Sequence, residues 1–439
     1  MCDERGGMAE LVTLGAFVAV LVGSVAAGVP TVYALLVGLA LFCGYAWRSG
    51  HAPGEVLAMC WHGIRPIRRI LGMLLTVGIL TGLWRAAGVI PAIVAYAVPL
   101  ATPSLFVLMT FLLCCLVSVI TGTSFGTAAT MGSICVSIAS GMGVPLELAG
   151  GAALAGAFFG DRWSPISTSA LLVADVTGTD FYGNLRRMAR TVAVPLAVSC
   201  VAYLVAGALL PASGGSAALV GELRAAFDLS PAVLLPPVVV FALAALRVDI
   251  LLVIVAGVLT SVPLCLFLQG MGVAEVMQTA LLGFSAPTPG TEALAGGGVV
   301  SMLSAACIVC VTSAYAGIFE ETDLLSGVEG VVSALATRVT PYAATLGVSV
   351  LASVVACNQT LAIMMAHQLS RDLPQTAEEH ALDLEDSVVL VAGLVPWSIA
   401  GGVPLASMGA PTASMALAVF MYALPIWRLA TSWRRGEGR

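Results

Sequence analysis

The sequence predicts an all-α polytopic membrane protein of two inverted repeats, each of about five transmembrane helices plus a re-entrant hairpin, with broken helices at the midplane. Three observations carry this. The chain of 439 residues is 59% hydrophobic and only 10% charged, a balance foreign to soluble domains. Polar or proline-broken stretches interrupt apolar runs long enough to cross a bilayer, which takes ~20 apolar residues. The interruptions recur in the two halves at an offset of 234 to 236 residues.

Composition also excludes functions. All 18 basic residues are arginine, so no lysine-containing phosphate loop exists. The polar connections, roughly 20 residues at most, leave no room for a built-in ATPase. No basic patch points to nucleic acid, and the formal charge of −6 comes mostly from loops and termini. No cofactor is expected; the partners are the lipid bilayer and a small solute. Met1 to Glu10 is polar without a cleavage-site pattern, so the first helix is read as retained. Eleven cysteines are scattered through apolar runs, and Cys307-Ile308-Val309-Cys310 reads as helix packing rather than redox chemistry.

In chain order, residues 1–212 form the first repeat. Helices are expected at 9–27, 30–47 and 70–87, with a basic connection from Arg48 to Arg69 and a short Pro-punctuated interfacial piece from Gly88 to Pro103. A hairpin at about 104–141 carries Thr121-Gly122-Thr123-Ser124 and Thr127 at its tip. A broken helix follows at about 147–178, because Pro165 removes a hydrogen bond inside an apolar run. Arg186, Arg187 and Arg190 precede a helix at 191–210. A polar linker, 213–230, leads to the second repeat, 231–439. Here helices are expected at 231–247, 249–268 and 299–319, then a polar stretch 320–340. A second hairpin at 341–370 has Asn358-Gln359-Thr360 at its tip, and a charged segment runs from Arg371 to Asp383. A broken helix at 386–411, holding Pro396-Trp397-Ser398, and a last helix at 413–430 complete the chain.

The halves match at Gly82-Leu83-Trp84-Arg85 with Gly317-Ile318-Phe319-Glu320, at Ser118-Val119 with Ser353-Val354, and at Trp163-Ser164 with Trp397-Ser398. Arginine marks cytoplasmic connections. If both hairpins re-enter, 48–69, 186–190, Arg371 and the tail all face the cytoplasm, both termini are inside, and 269–298 faces out. Arms of ~16 residues then reach ~24 Å, to about the midplane.

Four polar breaks would therefore converge, and irregular backbone at membrane depth is tolerated only around a cavity or inside protein. The hydroxyls of Ser164, Ser167, Thr168 and Ser169 beside Pro165, and those of the tips, are neutral oxygens for a cation. A proton carrier needs a buried carboxylate: Asp161 first, then Glu385 and Asp386 opening the helix of Trp397, then Asp175. Bland readings stand beside these. Asp161 beside Arg162 suits a structural ion pair; Glu385 and Asp386 suit a helix N-terminus. Glu320, Glu321 and Asp323 suit a solvated end, and Arg85 a snorkelling one. Gly78 with Gly82 and Gly156 with Gly160 suit close helix packing. His51, His62, His367 and His380 lack metal-site spacing, so the metal expected is a transported ion. Gly122-Thr123-Ser124-Phe125-Gly126 also fits the nucleophile elbow of serine hydrolases, but no histidine base is expected at that depth; labelling by a fluorophosphonate separates the two classes.

Gly122-Thr123-Ser124-Phe125-Gly126-Thr127 resembles the G-T-S-W-G-T of the NhaC-type sodium/proton antiporters. Gly160 to Ser167 resembles their G-D-K-M-S-P-L-S, Glu385-Asp386-Ser387 their E-D-S, and Pro396-Trp397-Ser398 their P-W-N. The resemblance implies a Na⁺/H⁺ antiporter of the inner membrane, within the ion transporter superfamily, that dimerises through a scaffold. It also points to Ser124, Ser164 and Ser387 as site residues. Where the family continues S-D-T-T-N, this chain has Thr168-Ser169-Ala170-Leu171, without the carboxylate and the amide. A Na⁺- or H⁺-coupled exchanger of a small organic solute, an amino acid or a dicarboxylate, is the alternative.

Overall fold

Helices run almost end to end through the computed structural model, which describes residues 3–26, 31–97, 103–165, 167–210, 216–246, 248–285, 295–322 and 339–436. The strand pairing found among them is an isolated bridge between Phe284 and Gly296. Among the described residues five helices are each long and apolar enough to cross a membrane, and up to eight spans result if each of three bent pairs counts as one. Apolar side chains such as Leu116, Val201 and Leu259 point outward, as a lipid-facing surface requires.

The first hairpin segment consists of Pro103–Thr121 and, after a break at Gly122 and Thr123, helix from Ser124 through a π turn to Met142. Within them Ser104–Thr121 and Ser124–Met142 are 18 and 19 residues long, so each can cross a bilayer by length, more than the expected arms. The second pair, Pro341–Ala356 and Gln359–Ser370, has 16 and 12 residues and is shorter than a full crossing. The two tips nevertheless share a backbone. Gly122 and Cys357 both lie in the left-handed region, at φ 69° and 54°. Thr123 (φ −141°, ψ 136°) and Asn358 (φ −142°, ψ 133°) then cap the following helices.

The first broken helix runs Leu146–Arg162, breaks after Arg162 and resumes at Thr168–Thr177, as Pro165 predicts. It docks on Pro103–Thr121 with almost no side chain between. A Cβ on Gly160 would stand 2.2 Å from the backbone carbon of Ser118, and one on Gly156 2.6 Å from the Phe111 carbonyl. A Cβ on Gly78 or Gly82 would likewise stand 2.5 or 2.9 Å from the backbone of Gly298. Both small-residue pairs are thus close-packing surfaces.

Several boundaries differ from the sequence reading. The Gly88 to Pro103 piece contains a helix, Val89–Ala97, which bends 62° from the preceding helix and buries Val89, Ile90, Val94 and Ala95. The linker contains a helix, Ser216–Ala226, and the connection 48–69 contains Pro53–Ile64. The second broken helix begins at Ala377, not 386, because Thr376 and Glu379 form a capping box. It runs through Glu385 and Leu394, bends 56°, and resumes at Ile399–Met408. Glu385 therefore ends a helical stretch and Asp386 caps its C-terminus; they do not open a helix. Asp323, most of 320–340, part of 213–230, 286–294 and the tail side chains lie outside the described residues.

Candidate functional site

The end of Leu146–Arg162 brings Asp161 against both hairpin tips. Its side chain is buried, and the Gln359 amide donates to Oδ2 at 2.9 Å. The same nitrogen donates to the Val389 carbonyl at 2.9 Å, tying the second tip to the second broken helix. The Ser124 backbone N–H and the Ser169 hydroxyl also face this carboxylate. The Asp161 carbonyl, freed by the break, accepts from Ser169 Oγ at 2.8 Å and from Ser167 Oγ. Ser164 Oγ donates to the Val119 carbonyl at 2.7 Å, fastening the break to the first hairpin. Ser124 Oγ is buried and has no hydrogen-bond partner among the described residues.

Other expected residues build this frame. Thr123 Oγ1 accepts from Gly126 N at 3.1 Å, and Thr127 Oγ1 meets Thr121 Oγ1 at 3.1 Å, which knits the first tip. Asn358 Oδ1 accepts from Thr360 N at 2.9 Å, and Ser398 Oγ from Ala400 N at 3.2 Å, so both are helix caps. Trp397 Nε1 donates to the Val354 carbonyl at 3.0 Å, beside Pro396 in the second break. Ser387 Oγ meets Ser349 Oγ at 2.9 Å. Three expected residues do not face the site: Pro165, Thr168 and Thr360 are exposed. Thr168 lies with Asp175 on an open groove of about 650 Å³ at the protein surface.

The partner of Arg162 overturns the simplest structural reading. It is not Asp161 but Asp386, bound through Nε at 2.9 Å and through Nη2, with both side chains fully buried. Arg428, from the last helix, contacts the other Asp386 oxygen at 2.9 Å and also pairs with Asp383. Thr191 donates to Arg162's partner at 3.4 Å, and Tyr342 donates to the Asp386 carbonyl at 3.0 Å. Asp383 and Arg428 were not anticipated. A lone arginine in the middle of an apolar helix was the signal for Arg428. Arg85 is also mostly buried rather than snorkelling, against Gly297.

Glu385 is fully buried, and neither of its oxygens has a hydrogen-bond partner among the described residues. His367 Nδ1 and His380 Nε2 meet at 3.2 Å, while His51 and His62 face Glu55 and Glu321. No cluster of three metal-ligating side chains occurs among the described residues. The arrangement suits an ion: one carboxylate, hydroxyls and a released carbonyl, all removed from water.

Comparison with known proteins agrees. Residues 7–183 and 156–432 match the Na⁺/H⁺ antiporter family. The chain is 30% identical over 408 residues to the malate-2H⁺/Na⁺-lactate antiporter of Bacillus subtilis, covering 88% of this chain and 86% of that one. It is 28% identical over 406 residues to the Na⁺/H⁺ antiporter NhaC of the same organism, covering 89% and 88%. It is 30% identical over 432 residues to the arginine/ornithine antiporter ArcD of Halobacterium salinarum, covering 93% and 87%.

Proposed function

This chain belongs to the Na⁺/H⁺ antiporter family, and from that premise we propose that it exchanges Na⁺ for protons across the cytoplasmic membrane, with Asp161 taking one load or the other. The observation that carries the reading is that, among the described residues, no guanidinium pairs with Asp161. Its neighbours are neutral: the Gln359 amide, the Ser124 N–H and the Ser169 hydroxyl. Such donors steady the ionised form without neutralising it, so a proton or a cation must supply the charge. The hydroxyl of Ser124 and the carbonyl of Asp161 are the oxygens available to complete a Na⁺ shell. Na⁺-dependent proton flux in proteoliposomes tests the reading; no flux with Na⁺, Li⁺ or K⁺ would remove it.

The relatives named for malate with lactate and for arginine with ornithine favour a second reading, exchange of a small organic solute. The same proteoliposomes, given dicarboxylates and amino acids, separate the two: solute-driven flux without a Na⁺ response selects the alternative.

Ser124→Ala is expected to weaken apparent Na⁺ affinity about tenfold, the effect of one lost ligand at ~1.4 kcal/mol. Thermal stability should change little, since Ser124 Oγ makes no hydrogen bond among the described residues. Unchanged affinity in the folded variant removes Ser124 from the ion shell.

The inverted-repeat arrangement belongs to this proposal, supported by the matched backbone of the two tips. It expects the termini and Arg186 on the cytoplasmic side and the 269–298 connection outside. Cysteines placed at Arg187 and in the tail should react from the same side. Reaction from opposite sides would rule out the re-entrant first hairpin.

A further inference from the structure

Arg162 and Arg428 are matched by carboxylates; Arg85 is not. It stands in the last turn of Arg68–Ala86 and is mostly buried. Among the described residues it makes no ion pair and no hydrogen bond. A guanidinium withdrawn from water without a counter-charge is costly. The carbonyls that end a helix favour a cation, and two helices end beside this one, Arg68–Ala86 and Ile399–Met408. Yet no carbonyl among the described residues accepts from its N–H donors.

What stands against the guanidinium is backbone. Gly296 and Gly297 lie on one side, where a Cβ would be 3.6 and 2.9 Å from Nη1. Gly409, which caps the second broken helix, lies on the other. A Cβ there would meet nothing nearer than Nη2, at 4.0 Å. All three glycines have positive φ, 123°, 76° and 71°, where a side chain would be strained. No side chain of these three residues therefore fills the space beside either Nη atom, and the Nη2 side is open. Gly298–Thr322 begins beside Gly297, and the N–H groups of a first helical turn favour an anion. Gly296 and Gly297 belong to the 269–298 connection, so the gap lies at the end of the molecule expected outside.

We propose that Arg85 binds the carboxylate of a small organic acid in this gap, between the 296–297 loop and the end of the second broken helix. The planar fork of a guanidinium matches both oxygens of a carboxylate, and the bound acid supplies the counter-charge that the chain does not. The same charge repels Na⁺, so this place is distinct from the cation site at Asp161. The proposal rests on the second reading above, exchange of an organic solute, and gives that solute a class: an anion of the lactate or malate kind, held first at the outer end.

The test is binding of L-lactate and L-malate to the detergent-solubilised full chain, by calorimetry, with lactamide and chloride as controls. The wild type should bind at least one of the acids. Lactamide, which has no carboxylate, should not bind, and chloride, which cannot span the fork, should bind about tenfold more weakly or worse. Folded Arg85→Gln should lose affinity for the acid by about tenfold or more. Unchanged affinity in that variant overturns the proposal, because Arg85 then serves only the two helix ends. Wild type that binds neither acid, or that binds chloride or lactamide as tightly, overturns it too. Should Arg85→Gln not fold, Arg85→Lys decides, since an ammonium keeps the charge without the fork. A several-fold loss then supports the site, and unchanged affinity overturns it. Acid-driven flux in proteoliposomes separates this proposal from the reading beneath it. Flux in the wild type with binding unchanged in Arg85→Gln sinks the site and leaves the reading. Binding lost in Arg85→Gln, with no acid-driven flux in the wild type, sinks the reading and leaves Arg85 as a site for an acid that is not carried.

Discussion

Asp161→Asn reduces Na⁺-driven proton flux in proteoliposomes to the level of empty vesicles, while the protein still inserts and remains monodisperse. The asparagine keeps the size of the side chain and can still accept from Gln359, whose amide lies 2.9 Å from Oδ2. It loses the ability to hold a proton in one half of the cycle and neutralise Na⁺ in the other. A site with hydroxyls and a carbonyl but no charge binds a monovalent cation poorly once water is excluded. Removing that charge should leave the fold intact or slightly stabilised, because among the described residues Asp161 makes no ion pair that the substitution would break. Residual exchange with an unaltered pH profile would make Asp161 structural and move the search to Glu385.

Arg162→Met destabilises the protein by roughly 3–5 kcal/mol, the usual result of removing one member of a buried pair. Asp386 is fully buried and would keep only the Arg428 contact at 2.9 Å and the Thr191 hydroxyl at 3.4 Å. Its remaining charge would also repel Asp383 for the attention of one guanidinium. Adding Asp386→Leu to Arg162→Met should recover much of the loss, because the double variant buries neither charge. The measurement is thermal unfolding in detergent of the wild type, both single variants and the double. A single variant as stable as the wild type, or a double variant no better than Arg162→Met, would show that the pair does not hold the two broken helices together. Transport need not return with stability in the double variant, since Arg162 also faces Glu385.

Asp161 was legible in the sequence because an acid within an apolar run is conspicuous whatever the fold. The breaks at Pro165 and at Trp397-Ser398 were legible for the same local reason: proline and hydroxyl clusters oppose continuous helix. The start of the second broken helix was written in the chain too, as Thr376-Ala377-Glu378-Glu379, a capping pattern outweighed by the charge of its surroundings. Reading those charges as a connection put Glu385 and Asp386 at the wrong end of a helix. Serine and threonine in the tips were harder. Most of them cap helices or bridge neighbours; among the described residues Ser124 reaches Asp161 through its backbone N–H, and Ser167 and Ser169, from the break, through their hydroxyls.

By itself the sequence determined the membrane class, the helical content and the places where helices break, because hydropathy and backbone propensity act over a few neighbouring residues. Only the tertiary structure decided which carboxylates are neutralised. Arg162 adjoins Asp161 in the chain yet spends its charge on Asp386, 224 residues away. Consecutive residues on a helix point in different directions, so neighbours in sequence are seldom partners in space. The force between two buried charges falls off over a few ångströms, and that spacing is set by how glycine-lined helices and the two tips pack. A carboxylate's freedom to carry a proton or a cation is therefore a property of the packed molecule, visible only once the arginines have found their partners.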